Sequence, residues 1–375
     1  KHVDQELARP KRLLINALHA KSGGGVTYLR NMLPFLTDMP ELEVHVILHR
    51  EQFPLYEKMF GNAQVHISDA RMGLFGVILE EQFGIRKLVR KLDIDVVFSP
   101  ANFGPLLINN AVILIRNSLD VAIIEKRPGK LLYWGAITIA TMMSILTAQR
   151  IIAVSTYACS SCFKGMFPES RKKVHVIPHG VNVKYFDVER RPSERPFILA
   201  VSDIYVQKNL HVLIEAFAEV LKETPDLVLR LAGQVLDVDY HKRLMRLVDA
   251  LGNSHAVEFL GHVHFDDLLE LYGSCEVFVF PSTVETFGNP LVEAMASGCA
   301  VICSNAAAMP EVAGDAVLFV NPDKPDQFRD ALQRFLKDEA LRTHYGRLAR
   351  DWSHRYSWAV TADETVKILK AVDPA

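Results

Sequence analysis

The sequence predicts an α/β protein built from two doubly wound domains with parallel sheets. Short apolar runs rich in valine, isoleucine and phenylalanine alternate with amphipathic stretches, which is typical of strands buried on both faces of a parallel sheet. This alternation occurs on both sides of a polar stretch at residues 187–196, which is rich in Glu, Arg and Pro and is the best candidate for a linker. With 375 residues, of which 49% are apolar, the chain is long enough for two sizeable cores.

Charge and cysteine content narrow the functional class. The 42 basic and 44 acidic residues nearly balance, which argues against a nucleic-acid binder that depends on phosphate contacts. The five cysteines are an odd number, and three of them lie in apolar contexts, as expected for free thiols in a reducing, cytoplasmic setting. Cys159 and Cys162 have the CxxC spacing but no second pair to complete a zinc site, so we expect no metal.

In the first half of the chain, apolar runs predict strands at residues 11–18, 43–48, 93–100, 111–115, 151–154 and 174–177. Gly23, Gly24 and Gly25 stand between the first strand and an amphipathic helix, where they allow the backbone to approach a phosphate closely. A merely tight turn explains the three glycines equally well, because they form neither a GxGxxG nor a Walker motif.

Residues 133–148 are the longest apolar stretch and are followed by Arg150. The stretch is shorter than the roughly 20 residues that a membrane-spanning helix needs. Two interpretations remain, a helix buried in the α/β fold and a monotopic helix that touches lipid. The buried helix is the favoured interpretation, and basic residues near the stretch in sequence suit a lipid-linked acceptor at a membrane surface, at the inner face of the cytoplasmic membrane.

The second half predicts strands at residues 196–201, 227–233, 257–261, 277–280 and 300–303. Residues 352–372 follow with Trp352, Tyr356, Ala359 and later apolar residues at helical spacing, which predicts one C-terminal helix. Because this helix lies beyond the strands of the second domain, we expect it to pack elsewhere.

Residues 277–298 combine a buried strand, a polar loop and a short helix. Asn289 and Pro290 give the signal for a helix start, with Asn289 as the N-cap, and Gly298 gives a stop. Glu285 in the loop and Glu293 in the helix are expected to face the crevice beyond the carboxyl end of the strand, where open α/β sheets bind ligands. Two carboxylates beside a helix N-terminus suit a ligand with phosphates and hydroxyls, such as a nucleotide sugar.

With Glu285 and Glu293 separated by seven residues, the chain resembles the GT-B glycosyltransferases of the large retaining family 4. The resemblance covers most of the chain, and its motifs are specific in this order and spacing. They are the glycines 23–25, residues 152–155, residues 177–182, residues 201–209, residues 259–263 and residues 309–316.

The resemblance implies a GT-B fold, in which two Rossmann-like domains face an interdomain cleft. It places an N-terminal acceptor-binding domain at residues 1–186 and a C-terminal donor-binding domain at 187–352, with a helix at 353–375 crossing back to the first domain. It implies metal-independent chemistry with no cofactor. The partners are a nucleotide diphosphate sugar as donor, GDP- or UDP-linked, and a glycan or glycolipid acceptor.

The resemblance also implies roles for individual residues. Glu285 contacts the hydroxyls of the donor sugar, Glu293 binds the ribose, and Lys208 neutralises the departing diphosphate. Amides of the loop before the helix hold the diphosphate. The donor-binding residues expected in this way are Gly23, Gly24, Gly25, Ser202, Gly261, Thr286, Phe287, Gly288, Asn289, Leu291 and Glu293.

Two departures from the family pattern concern the catalytic residues. Many members carry an Arg a few residues before the Lys, whereas residues 202–207 contain none. Many also carry a His-Asp pair after the fourth strand of the first half, where this chain has Arg116 and Asn117. We expect Asn117 to bind the donor sugar and Arg116 to meet the phosphate or the acceptor. Neither side chain can act as a general base.

Several other polar residues have simpler explanations. Asp93 with Asp95 and Asp237 with Asp239 have the DxD spacing of metal-dependent transferases, but their contexts indicate chance matches. We expect His179 to be a structural turn residue. Ser155 fits a binding residue and a helix cap equally well, and Glu311 is expected to brace the loop before Gly314.

The sequence therefore predicts a retaining transferase that moves a hexose, with mannose favoured, to a hydroxyl acceptor. The acceptor is expected to be a lipid-linked or cell-surface polysaccharide or lipopolysaccharide precursor. A nucleotide-sugar epimerase of similar fold is one alternative, although no additional acid–base set is identifiable. A nucleotide-sugar-binding subunit without turnover is the other, because the usual Arg and the His-Asp pair are missing. The oligomeric state stays open.

Overall fold

A computed structural model of the protein describes residues 9–21, 23–69, 74–120, 128–191 and 193–374. For residues 74–75 and 128–133 it describes the backbone only. The chain forms two compact units. Within the described residues, the first unit contains the chain up to Gly180 together with the C-terminal segment from Trp358, and the second contains Val181–Ser357.

In the described part of the first unit, an entirely parallel sheet has the strand order β3-β2-β1-β4-β5-β6-β7. The strands are β1 (Lys11–Asn16), β2 (Leu42–His49), β3 (Gln64–Ser68), β4 (Val96–Ser99), β5 (Ala111–Ile115), β6 (Arg150–Ala153) and β7 (Val174–Val176). The sequence did not predict β3, because it is an edge strand with a largely polar composition and only its last residue fully buried.

Helices cover this sheet. They are Gly23–Asp38, Phe53–Tyr56, Leu74–Leu79, Ile85–Leu92, Pro128–Thr147, Thr156–Phe163, Pro168–Arg171 and Trp358–Lys370. A π-helical turn, Glu80–Gly84, joins the third helix to the fourth. The glycines expected in a loop are instead the first three residues of the helix Gly23–Asp38.

The C-terminal segment is two helices rather than one. The helix Glu339–Ser353 ends in the second unit, and the helix Trp358–Lys370 begins in the first. Between them Tyr356 is buried, donates its hydroxyl to the carbonyl of Val312 at 2.8 Å, and accepts the amide of Val181. These bonds hold residues 354–357 in a non-helical conformation, so the prediction of one continuous helix was wrong.

The described part of the second unit contains a second parallel sheet, with the order β10-β9-β8-β11-β12-β13. Its strands are β8 (Phe197–Val201), β9 (Val228–Ala232), β10 (Val257–Gly261), β11 (Val277–Phe280), β12 (Val301–Ser304) and β13 (Leu318–Val320). Its helices are Leu210–Leu221, Val238–Ala250, Phe265–Ser274, Asn289–Ala296, Met309–Ala313, Pro325–Lys337 and Glu339–Ser353.

In both sheets the strand order reverses direction at one place. The reversal lies between β1 and β4 in the first sheet and between β8 and β11 in the second. Neighbouring loops leave such a switch point in opposite directions, which opens a crevice at the carboxyl ends of the strands. Each unit therefore has its own candidate position for a ligand.

Candidate functional site

The switch point of the second sheet holds an ion pair between Lys208 and Glu285. Lys208 follows β8 and Glu285 follows β11, so each loop contributes one charge. The Lys208 Nζ and a carboxylate oxygen of Glu285 are 2.5 Å apart, with only 19% and 15% of the two side chains exposed. Limited exposure reduces solvent screening, which makes this pair stronger than one on the open surface.

Asn209 anchors the loop that carries Lys208. Its backbone is left-handed, with φ of 57°, and it lies between a 3-10 turn (Val206–Lys208) and the helix Leu210–Leu221. Its buried side-chain amide donates to the carbonyls of Pro281, at 3.1 Å, and Pro322, at 2.8 Å. The amide of Thr283 also bonds to the carbonyl of Gln207 at 2.9 Å. Lys208 and the loop after β11 are thus held as one assembly.

Gly288 turns the loop into the helix Asn289–Ala296. Its φ of 82° suits glycine, and an added Cβ would lie 3.0 Å from the ring of Phe280. The structure makes Gly288 the residue before the helix and Asn289 the first helical residue, so the expected N-cap at Asn289 was displaced by one position. The carbonyl of Glu285 accepts the amide of Ala308, which ties the same loop to the next connection.

Glu293 lies on this helix and is partly buried. The Tyr272 hydroxyl donates to its carboxylate at 3.2 Å, and the hydroxyl of Tyr185 also bonds to it. Burial raises the pKa of Glu293 to about 7, although hydrogen bonds from Tyr272 and Tyr185 act in the opposite direction. Glu293 therefore exchanges its proton near neutral pH, and a ligand that donates hydrogen bonds to the carboxylate favours the charged form.

The other residues of the second unit that we expected to bind the donor fall into two groups. Ser202, Gly261 and Thr286 are partly exposed at strand ends or in the loop. The side chains of Phe287 and Leu291 are instead buried, and the ring of Phe287 packs against Tyr356 at 5.3 Å. These two residues can meet a ligand only through their backbone.

In the first unit the structure brings Arg116 against Gly24 and Gly25. A Cβ on Gly25 would lie 2.6 Å from a terminal nitrogen of Arg116, whose Nε donates to the carbonyl of Pro100 at 2.8 Å. Burial lowers the pKa of Arg116. Asn117 is exposed, and its backbone is held by Asn102. Arg116 and the glycines therefore form one cluster at a helix start.

Structural roles account for several other polar residues. The Ser155 hydroxyl caps a helix by accepting the amide of Ala158 at 2.9 Å. The His179 ring packs against Tyr28 and Trp358, with centroids 5.3 and 5.4 Å away. Asp237 is the N-cap of the helix Val238–Ala250, and Asp95 forms an ion pair with Arg9 at 2.8 Å.

Neither a metal cluster nor a spanning helix is found among the residues that the structure describes. In these residues no group of three or more His, Cys, Asp or Glu side chains is placed to hold an ion. No described helix is long and apolar enough to cross a bilayer. Cys159 and Cys162 are buried free thiols in the helix Thr156–Phe163.

The sequence did not single out Asn209, Tyr185 or Tyr272 for these roles. A Lys-Asn step before an apolar helix is a weak capping signal that would have indicated Asn209. Tyr272 and Tyr185 are 21 and 108 residues away from Glu293 in the chain, and no local pattern connects them with it. Their importance follows only from the folded structure.

Two Rossmann-like parallel sheets with a Lys–Glu pair at one switch point are the arrangement expected of the GT-B glycosyltransferases. Sequence profiles agree along most of the chain: "Glycosyltransferase Family 4" matches residues 22–185 and "Glycosyl transferases group 1" matches residues 182–352. The chain belongs to this glycosyltransferase family.

Curated relatives include several mannosyltransferases. The serotype-specific mannosyltransferase WbdA of Escherichia coli is 34% identical over 167 residues, 44% of this chain and 20% of the relative. The O-antigen chain mannosyltransferase RfbU of Salmonella typhimurium is 31% identical over 191 residues, 51% of this chain and 52% of the relative. The matched part therefore spans between one fifth and about half of these relatives.

Solved structures agree on the fold. A sucrose-phosphate synthase from Thermosynechococcus elongatus superposes with a TM-score of 0.78 at 18% identity, covering 96% of this chain and 98% of the other. The Anabaena protein HepE, in complex with UDP and glucose, gives a TM-score of 0.75 at 19% identity, with 96% and 99% covered. At these identities the likeness shows the GT-B fold and not the substrate.

Proposed function

We propose that the chain transfers a hexose, with mannose favoured, from a nucleotide diphosphate sugar to a hydroxyl acceptor, with retention of the anomeric configuration. The observation that carries the proposal is the Lys208–Glu285 pair at the switch point of the second sheet. A cation there stabilises the charge that develops on a leaving diphosphate, and a carboxylate accepts hydrogen bonds from sugar hydroxyls. Family membership supports the same reaction class.

In this mechanism the donor rearranges the pair. Lys208 turns from Glu285 towards the diphosphate, which replaces one anionic partner with another, and Glu285 accepts hydroxyl groups of the sugar. Glu293 takes the ribose hydroxyls. Because Lys208 already supplies the positive charge at the phosphates, the reaction needs no metal ion or other cofactor. Arg116 and the glycines 23–25 provide a second anion-favouring position in the first unit, and Asn117 contacts the donor sugar.

Mannose from GDP-mannose is the preferred donor because the relatives named above are mannosyltransferases. The O-antigen function of such relatives supports a lipid-linked or cell-surface polysaccharide precursor as acceptor. A UDP-hexose is the second candidate, supported by the complex of HepE with UDP-glucose.

A donor panel tests this proposal. Purified protein is incubated with GDP-mannose, UDP-glucose and ADP-glucose with and without EDTA, and release of the nucleotide diphosphate is measured. We expect the fastest release from GDP-mannose and no effect of EDTA. Binding of these donors without any release, even with acceptor extracts, would favour the non-catalytic alternative. Conversion of the donor into a second nucleotide sugar would favour the epimerase.

We also propose that the helix Pro128–Thr147 contacts the inner face of the cytoplasmic membrane. Its side chains Ile139, Met143 and Leu146 lie on one face and are 61%, 47% and 51% exposed. Beside the helix end, the Lys173 ammonium bonds to the carbonyls of Leu146 and Ala148. An exposed apolar stripe beside basic side chains is typical of a helix that lies in the interface of an anionic membrane.

Vesicle sedimentation tests the membrane contact. The wild type is expected to sediment with anionic vesicles at low salt, and Met143→Asp is expected to weaken binding severalfold. Val360→Asp is the matched control, because Val360 is 56% exposed on another helix of the same unit. Equal sedimentation of the wild type and M143D, or none of the wild type, would refute the contact.

A further inference from the structure

The switch point of the first sheet contains a second carboxylate-centred cluster, which none of the assignments above uses. The Glu81 side chain is only 3% exposed. One of its oxygens accepts the Asn16 side-chain amide at 2.7 Å and contacts the His19 Nε2 at 2.9 Å. Asn16 ends β1 and also donates to the hydroxyl of Ser99, the last residue of β4, at 3.1 Å. The cluster therefore joins the two strands between which the order of the sheet reverses.

Three observations indicate that this cluster does more than stabilise the fold. Burying a carboxylate carries a desolvation cost that an apolar side chain of similar size would avoid. Glu81 lies in the π-helical turn Glu80–Gly84, and such turns occur frequently at functional sites. His19 keeps 18% of its side chain exposed, so solvent and ligands reach the imidazole while the carboxylate behind it stays buried.

The bond between His19 and Glu81 determines which ligand chemistry suits the imidazole. An ionised carboxylate can only accept, so the Nε2 of His19 carries the proton in this bond. In the neutral imidazole the Nδ1 is then the acceptor, and it suits an O–H donor. The ring of Phe103 packs against that of His19, with 4.5 Å between the ring centroids, and provides an apolar surface beside the imidazole. One oriented acceptor beside an aromatic ring suits an alcohol on a sugar ring.

We propose that His19 binds a hydroxyl group of the acceptor by hydrogen bonding, and that Glu81, with Asn16, positions His19 for it. The ligand class is a hexoside with a free secondary hydroxyl. His19 is a binding residue in this inference, Glu81 is a positioning residue that acts through His19, and no covalent step is assigned to either. The inference rests on the proposed transferase function, and it gives the first unit a specific part in acceptor selection.

The test compares two His–Glu pairs of the same unit. His45 Nε2 and Glu43 form a similar contact of 3.2 Å, but near the amino end of β2, away from the carboxyl edge. The variants are His19→Gln and Glu81→Gln, with Glu43→Gln as the matched control. Glutamine at position 19 keeps a donor for Glu81, so the fold is retained while the ring acceptor is lost.

With GDP-mannose as donor and octyl α-D-mannoside as probe acceptor, transfer to the mannoside and hydrolysis by water are measured together. We expect the ratio of transfer to hydrolysis to fall at least tenfold in H19Q and severalfold in E81Q, with a higher KM for the mannoside. E43Q should keep the wild-type ratio. A parallel fall of transfer and hydrolysis, or an unchanged ratio in H19Q, would overturn the inference.

A binding measurement decides the question if the mannoside is not a productive acceptor. Methyl α-D-mannoside is titrated into the protein, and the ring signals of His19, assigned by their loss in H19Q, are followed by NMR. They should shift with saturation, whereas unmoved signals contradict the inference. Absence of nucleotide release from every donor in the panel would instead refute the proposed function, so the two failures are distinguishable.

Discussion

At the scale of single residues, charge is placed where each sheet reverses its strand order. Lys208 faces Glu285 at one switch point, and His19 faces Glu81 at the other. Glu285 could be predicted from the local succession of a strand, a polar loop and a helix start, and Lys208 from the family resemblance. The pairing of His19 with Glu81 could not, because 61 residues and a π-helical turn separate them in the chain.

Glu293 leads to a prediction about pH. Its pKa of about 7 lies above the usual value of a Glu, and donation by ribose hydroxyls favours the ionised form. Affinity for GDP should therefore rise with pH by at most about tenfold per pH unit until about pH 7, and it should level off above that pH. Because the diphosphate itself titrates near pH 6, the 2′,3′-dideoxy analogue serves as reference, and calorimetry measures the difference between the two ligands.

Substitution of Tyr272 should change the midpoint of this pH dependence. Its hydroxyl bonds to the Glu293 carboxylate and lowers the pKa of that group, so Tyr272→Phe should shift the midpoint to higher pH. Tyr240→Phe is the matched control, because the Tyr240 hydroxyl bonds to His211 in the same unit. An identical pH dependence for the ribose and dideoxy ligands would show that Glu293 does not meet the ribose.

At the scale of elements, the helix with Glu293 is supported by close packing from behind. The helix Glu339–Ser353 crosses it with Gly346 against the backbone of Gly298, so that a Cβ on Gly346 would lie 2.4 Å from that carbonyl oxygen. The sequence indicated Gly298 as a helix stop but gave no sign of this contact. It likewise missed β13, which is only three residues long, and the break at residues 354–357, which is fixed by bonds of Tyr356 to distant residues.

This contact predicts the effect of Gly346→Ala. In a helix interior the substitution would normally stabilise by about 1 kcal/mol. Here the added methyl group meets backbone that cannot rotate away, and overpacking of this kind costs about 1–3 kcal/mol. We therefore expect a net loss of stability and a lower Tm in thermal unfolding. Thr343→Ala, at an exposed position of the same helix, should leave the Tm nearly unchanged. A higher Tm for G346A would contradict the close packing.

At the scale of the whole molecule, the two α/β series, most strand positions and the fold family could be predicted from the sequence. Buried parallel strands are apolar on both faces and are therefore visible as continuous runs. The roles of polar residues were harder to predict, because a carboxylate in a solvated loop and a carboxylate beside a buried partner look the same in the sequence.

We propose that Lys208 and Glu285 form the reacting centre of a hexosyl transfer. The most direct test is the rate of GDP release from GDP-mannose in the wild type, Lys208→Ala, Glu285→Gln and the exposed control Lys242→Ala. We predict a loss of about 100-fold in K208A, the scale expected when one group that stabilises developing charge is removed. E285Q should also lose most of its activity, whereas K242A should match the wild type. Wild-type release by K208A and E285Q would contradict the account.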